Sequence, residues 1–256
     1  MAGRSGGRGC SLGSRAVQAV FLIVLVVLWY LATTRWRVNP LLLPNPVAVL
    51  RELGDILRSG EFVDDLRITL TELAIAFALA TAGGIVTGYV ISRAAYLIRV
   101  FEPLFAGIYS IPIILFLPLY VLFFGLGPAS KIALGATIGF FPIVLNTIAG
   151  FGYVERMLIV AARAMGASDY QLFRYVLLPA ALPVILTGLR MGFTVVLLSI
   201  IGSETIASLA GLGHRIVHLA EGMDMARMFA YIAFVVVIAV VLNMIVSTLE
   251  ARGKRQ

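Results

Sequence analysis

Six long apolar runs, each separated from the next by a short polar stretch, limit most severely what this chain can fold into. They cover residues 16–32, 66–91, 100–124, 132–151, 182–209 and 225–249. A bilayer core about 30 Å thick needs about 20 apolar residues per helix, and every run is of that order. With 61% hydrophobic residues, 13% charged residues and a mean hydropathy of +1.01, the chain is excluded from the soluble globular class. No strand-like alternation competes with these runs, so an all-α polytopic membrane protein with six transmembrane helices is expected. Pro112, Pro118 and Pro142 lie inside runs, which lipid-buried helices tolerate when neighbours satisfy the freed carbonyls. The expected division is a tail over 1–15, a six-span body over 16–249 and a second tail over 250–256.

Charge sets the expected orientation. With the N-terminus inside, the cytoplasmic segments hold eleven Lys and Arg against four acidic residues, and the outer segments hold eight against seven. The first run follows Arg4, Arg8 and Arg15 but lacks a clear cleavage site, and is read as an uncleaved span. Both termini are then cytoplasmic in a multi-pass cell-membrane protein. The basic balance is a topology signal; no aromatic-basic groove accompanies it, so no nucleic-acid partner is expected. Cys10 is the sole cysteine, which rules out an intrachain disulfide.

The polar stretch VAARAMGASDYQLFRYVLLPAALP, residues 160–183, is itself patterned. Residues 154–165 contain no breaker and predict one short helix. Gly166 can adopt the left-handed conformation that ends it. Ser168 with Gln171 three residues on has the spacing of a capping box. A second short helix runs to about Leu178, where Pro179 and Pro183 forbid simple continuation. Carrying Glu155, Arg156, Arg163, Asp169 and Arg174, neither helix can span a bilayer, so a helix-turn-helix knob on the cytoplasmic side is predicted.

That pattern resembles the signature loop of ABC-importer permeases: Ala161-Ala162, Gly166, Val176 and Leu178-Pro179 keep every spacing, while Val160 stands at the motif's Glu position. LLLPNPVAVL, SIPIILFLPLYVLFFGLG, KIALGATIGFFPIVLNT and SETIASLAGLG extend the likeness over residues 41–249. They are similar to the branch importing nitrate, aliphatic sulfonates, taurine or bicarbonate, with relatives that import pyrimidine vitamin precursors. The resemblance implies a MetI-like six-span permease core whose 154–178 loop is a coupling helix seated on a cytoplasmic ATPase. It also implies a second copy of the chain, two ATPase subunits and an extracytoplasmic binding protein. No Walker A spacing occurs here, and ATP and Mg are expected on the partner ATPase, with no cofactor on this chain.

Ionisable groups inside spans are costly and mark functional candidates. Glu72 and Glu204 qualify, and with Tyr109 and the loop glycines Gly211 and Gly213 they form the expected substrate path or gate. The sulfonate-importing relatives imply Arg where Glu72 and Tyr109 stand, which weighs against an anionic solute. Arg190, about 21 Å from Glu204 along one helix, is expected to be too distant to pair within the chain, and an inner-headgroup anchor is an alternative. Asn45-Pro46 predicts a surface helix with Leu50, Leu53, Ile56 and Leu57 on one side, and Gly83, Gly84 and Gly88 predict close helix packing. His214, His218 and Glu221 share a helical spacing without a fourth ligand, so no metal is expected, and no catalytic motif is present. The rival function is a secondary transporter or channel working without an ATPase, for which Glu72 and Glu204 are the only available carboxylates.

Overall fold

The computed structural model describes residues 9–36 and 38–253; the outer parts of both expected tails and Arg37 lie outside the described residues. Every regular element described is helical. Two compact units are distinguished, residues to Glu61 with Ile216–Phe234, and Phe62–Arg215 with Val235 onward.

In the first unit, α1 (Gly9–Thr34) is followed by α2 (Pro46–Ser59). Asn45 caps α2 by accepting the Val47 N–H at 2.8 Å, and Gly60 ends it at φ +71°. Val49 and Ile56 are buried while Leu50 and Leu57 stay exposed, so α2 has apolar groups on two sides. Trp29 donates its indole N–H to the Pro44 carbonyl at 3.0 Å and tilts against Phe229. Arg227 pairs with Glu61.

The second unit is built around α3 (Val63–Ser92), α6 (Pro128–Gly152) and α9 (Leu178–Ile206). Leu73 and Ala76 of α3 pack with Phe193, Val196, Leu197 and Ile200 of α9. The approach is close because small residues leave the helix backbones bare. A Cβ at Gly84 would sit 2.7 Å from Ile143, one at Gly88 2.6 Å from Thr147, and one at Gly139 2.3 Å from Val196.

Among the described residues, Val63–Ser92, Pro128–Gly152, Asp169–Ile206 and Met225–Ala251 are each long and apolar enough to cross a membrane. The run expected as one span over 100–124 is broken instead. It forms α4 (Ala95–Tyr109), a tight turn at Ile113–Phe116 and α5 (Leu117–Phe124), bent by 73°. Pro112 supplies the break: it has no N–H for the ladder, and it disfavours helical backbone at Ile111.

The chain also departs from expectation at Pro179. The knob consists of α7 (Arg156–Ala164) and the short α8 (Asp169–Leu172). Beyond α8 the helix does not stop; it widens to a π turn at Phe173–Leu177 and runs straight into α9. The Leu178 N–H reaches the Phe173 carbonyl, and in this wide register Pro179 enters at the first turn of α9. The widened turn gives the Pro179 ring room against the preceding turn, at the cost of one ladder bond that its missing N–H cannot make. The helices α10 (Leu212–Glu221) and α11 (Met225–Gly253) complete the chain.

Candidate functional site

Two features cluster around α9: a buried polar network at its last turn and a groove along its side. In the network, Glu204 is 1% exposed and accepts two hydrogen bonds, from Thr69 Oγ1 at 2.7 Å and from the Gly213 N–H at 2.8 Å. Thr69 also accepts the Leu212 N–H at 3.0 Å, and Asp65 accepts the Gly211 N–H at 3.2 Å. The 207–213 loop is thereby tied to α3 through the Gly211 and Leu212 N–H groups and to α9 through the Gly213 N–H. Gly211 is required in this bend: φ is +106°, and a Cβ would lie 2.3 Å from Glu204 Oε1.

Glu72, also 1% exposed, is placed beside Lys131, whose Nζ lies 2.9 Å from Oε1. Lys131 is 2% exposed and also donates to Ser208 Oγ at 2.6 Å; Ser208 in turn donates to the Ala210 carbonyl. A lysine from the start of α6 thus bridges α3 and the loop. In sequence, Lys131 is one of the eight basic residues of the outer segments, and nothing local pairs it with Glu72. The available signal was a cation at the very edge of one run beside an unbalanced carboxylate in another.

The groove runs beside Tyr109, Ile138, Val195, Leu198, Ser199 and Gly202, under the 111–114 turn, with a volume of about 380 Å³. Of the expected path residues only Tyr109 lines it; Glu72, Glu204, Gly211 and Gly213 belong to the network. Tyr109 is held by stacking on Phe141 at 6.2 Å between centroids. Farther down α9, Thr187, Arg190, Met191, Thr194 and Asn243 line a second cavity of about 400 Å³ that shares Val195 with the first. Arg190 does find a partner within the chain. Its guanidinium is 3.2 Å from Glu250 of α11, which also accepts from Thr187 at 3.2 Å.

At the opposite end of α9 the knob is surface chemistry. Gly166 has φ +81° with nothing within 4 Å of a would-be Cβ. The capping box is formed: Ser168 Oγ accepts the Gln171 N–H and Gln171 accepts the Ser168 N–H. Arg163 pairs with Asp169 in the open. Met157, Val160, Met165, Tyr170 and Tyr175 project into solvent, while Ala162 is buried at the helix contact. Of the motif residues, Ala161 is exposed, Val176 and Leu178 are half-buried and Pro179 is exposed. Near the knob, Tyr153 donates to Glu102 at 2.9 Å, and that bond holds its phenol above the usual pKa. His214, His218 and Glu221 lie on α10, and no cluster of three or more metal-ligating side chains occurs among the described residues.

Comparison with known proteins gives this geometry a family. Residues 74–255 match the binding-protein-dependent transport system inner membrane component family. The taurine transport system permease protein TauC of Escherichia coli is 33% identical over 90% of this chain and 86% of its own length. The riboflavin transport system permease protein RibX of Chloroflexus aurantiacus is 32% identical over 90% and 86%. The formylaminopyrimidine transport permease protein ThiX of Halalkalibacterium halodurans is 30% identical over 84% and 87%. Among solved structures, a chain of the MetNI methionine ABC transporter in an inward-facing conformation shares the fold. The TM-score is 0.62 at 21% identity, covering 76% of this chain and 94% of that one. A chain of an amino acid ABC transporter gives 0.62 at 20%, covering 79% and 97%. An all-helical, multi-pass chain with this match over most of its length belongs to the inner-membrane permease family of binding-protein-dependent ABC transport systems.

Proposed function

We propose that this chain is the membrane-crossing half of an importer in which two copies pair with two ATPase subunits and receive solute from an extracytoplasmic binding protein. The carrying observation is mechanical. One uninterrupted helix of 38 residues, Asp169–Ile206, joins the knob to the Glu204 network, a reach on the order of 55 Å at about 1.5 Å per residue. A push on the knob moves the last turn of α9, and with it the 207–213 loop that Glu204 and Lys131 hold.

In this reading the chain crosses the membrane six times, α1 and the bent α4–α5 pair each supplying one span, with both termini and the knob cytoplasmic. The 154–178 knob seats in the ATPase through Ala161, Ala162, Gly166, Val176, Leu178 and Pro179. ATP and Mg bind on that partner, this chain being a transport subunit without an ATPase site. Glu72 and Glu204 set the frame of the extracytoplasmic gate at Gly211 and Gly213, and Tyr109 faces the solute. The solutes in the relatives' names, taurine, riboflavin and formylaminopyrimidine, mark the chemical range to test. Ion-coupled transport without an ATPase would need a membrane carboxylate open to an ion, whereas Glu72 and Glu204 are buried and engaged.

The test is copurification. Gly166→Pro, or Trp at Ala162, is expected to abolish recovery of the ATPase while the chain still inserts into membranes. Retained ATPase binding and ATP-driven uptake in both variants would sink the docking role. Native mass measurement is expected to find two permeases with two ATPases, and an active complex holding one permease would contradict the pairing.

A further inference from the structure

Five hydroxyl side chains lie on α9, and four follow the same habit. Thr187, Thr194, Ser203 and Thr205 each donate to the carbonyl three or four residues earlier, at 3.1, 3.0, 2.9 and 2.7 Å. Such back-bonding is the ordinary way a helical hydroxyl is satisfied away from water. Ser199 does not follow it. The residue is 5% exposed, and its Oγ is buried with no hydrogen-bond partner among the described residues. An unpaired buried hydroxyl is unfavourable and calls for an explanation. Ser199 also lines the groove of about 380 Å³.

The rest of that lining defines what can enter. Tyr109, braced on Phe141, brings an aromatic ring and a hydroxyl; Ile113, Ile138, Val195 and Leu198 are apolar; Gly202 leaves the wall open. No Lys, Arg, His, Asp or Glu lines it. The buried charges Glu72, Lys131 and Glu204 are engaged elsewhere, Glu72 with Lys131 and Glu204 with Thr69 and Gly213. A sulfonate or carboxylate entering this space would shed water without meeting a counter-charge, which is strongly unfavourable. The volume is within the range of small-molecule sites, which join mostly apolar walls to a few polar groups that fix orientation.

We infer that the groove is a solute-binding site on the permease itself, taking an uncharged, ring-bearing solute whose polar edge hydrogen-bonds Ser199 Oγ and whose face lies against Tyr109. This rests on the permease reading and gives it a substrate class. Arg190, the one charged side chain farther along the same side of α9, is answered by Glu250 and adds no net positive charge to the route.

The test uses the permease–ATPase complex in lipid nanodiscs without binding protein, titrated with riboflavin and thymine as uncharged ring probes and methanesulfonate as an anion. Riboflavin fluorescence is expected to quench saturably, thymine to compete and methanesulfonate not to compete. Ser199→Ala is expected to weaken ring binding roughly three- to tenfold, the worth of one hydrogen bond, while leaving thermal stability unchanged or slightly raised. A purely structural serine would lower stability instead. Ser199→Thr, which keeps the hydroxyl, is expected to retain most of the binding. Failure of both ring probes to bind, competition by methanesulfonate, or unaltered binding in Ser199→Ala would each overturn the inference, and failure of both probes would leave the groove as a surface for a second copy. Loss of the ATPase from the purified complex is a separate result and would overturn the permease reading itself.

Discussion

The two ends of α9 solve opposite problems with similar residues. At the knob end, Gly166 turns the chain in the open, Ser168 and Gln171 cap each other, and Arg163 meets Asp169 at the surface. Every partner there is within six residues along the chain. At the loop end, Gly211 turns the chain against a buried carboxylate, and Glu204 is held by Thr69 and Gly213. Lys131 and Glu72 arrive there from two other helices. Exposed local bonds compete with water and contribute little each, so the knob can open and re-form without disturbing contacts elsewhere in the chain. Buried long-range bonds fail together, because losing one member strands the others away from water. The difference fits a docking surface at one end and a frame that must hold its shape at the other.

The sharpest way to break this contrast is to remove the buried Lys131 from the loop end. Lys131→Met would leave Glu72 unpaired and buried, a change expected to cost about 3–5 kcal/mol. Thermal unfolding in detergent should show a large loss of stability or no recoverable folded protein. The double variant Lys131→Met with Glu72→Met should regain most of that loss, since a buried pair replaced by apolar residues is often near neutral. Wild-type melting of Lys131→Met alone would mean the loop end is not a closed network.

How far the two ends were legible follows the same division. Gly166, the Ser168–Gln171 box and the Asn45-Pro46 start of α2 are nearest-neighbour signals, and the structure contains each of them. The close packing expected at Gly84 and Gly88 is also present. Glu72 and Glu204 stand out because carboxylates are rare in apolar runs, but their partners could not be read locally. Thr69 and Lys131 are distant along the chain and ordinary in their own surroundings, whereas the Gly213 amide, nine residues from Glu204, lies in the loop already grouped with it. Glu250 was missed as the partner of Arg190 for the same reason, being sixty residues away. Ser199 left no signal, since a serine in an apolar helix normally bonds its own backbone. At Pro179 a local rule misled: proline bars an α-helical interior, but not the first turn after a π register.

The same substitution at two left-handed glycines sharpens the comparison. Gly211→Ala combines a positive φ with a Cβ driven into Glu204, and is expected to cost about 1–3 kcal/mol of strain. It should also free the 207–213 amides to exchange with solvent. Gly166→Ala meets the φ penalty alone, about 1–2 kcal/mol, because nothing lies within 4 Å of the new carbon. Hydrogen exchange by mass spectrometry should therefore show Gly211→Ala loosening α3 near Thr69 as well as the loop, and Gly166→Ala loosening only the knob. Equal, confined responses would remove the distinction drawn between the ends.

The smallest effect is expected at the cap. Ser168→Ala removes the oxygen that accepts the Gln171 N–H, while the bond from the Ser168 N–H to Gln171 can persist from an alanine backbone. One exposed N-cap is worth about 1 kcal/mol, so amides of α8 should exchange roughly fivefold faster. The change should stop there, because α8 continues through the π turn into α9, whose contacts with α3 and α6 carry the packing of the unit. The global melting temperature and exchange at Gly211–Gly213 should match wild type. Ser168→Asp, which restores an N-cap acceptor, should return α8 to its original exchange rate. If Ser168→Ala instead speeds exchange at the 207–213 loop, the helix from Asp169 to Ile206 transmits a loss of order as well as a push, and the two ends of α9 are one cooperative element.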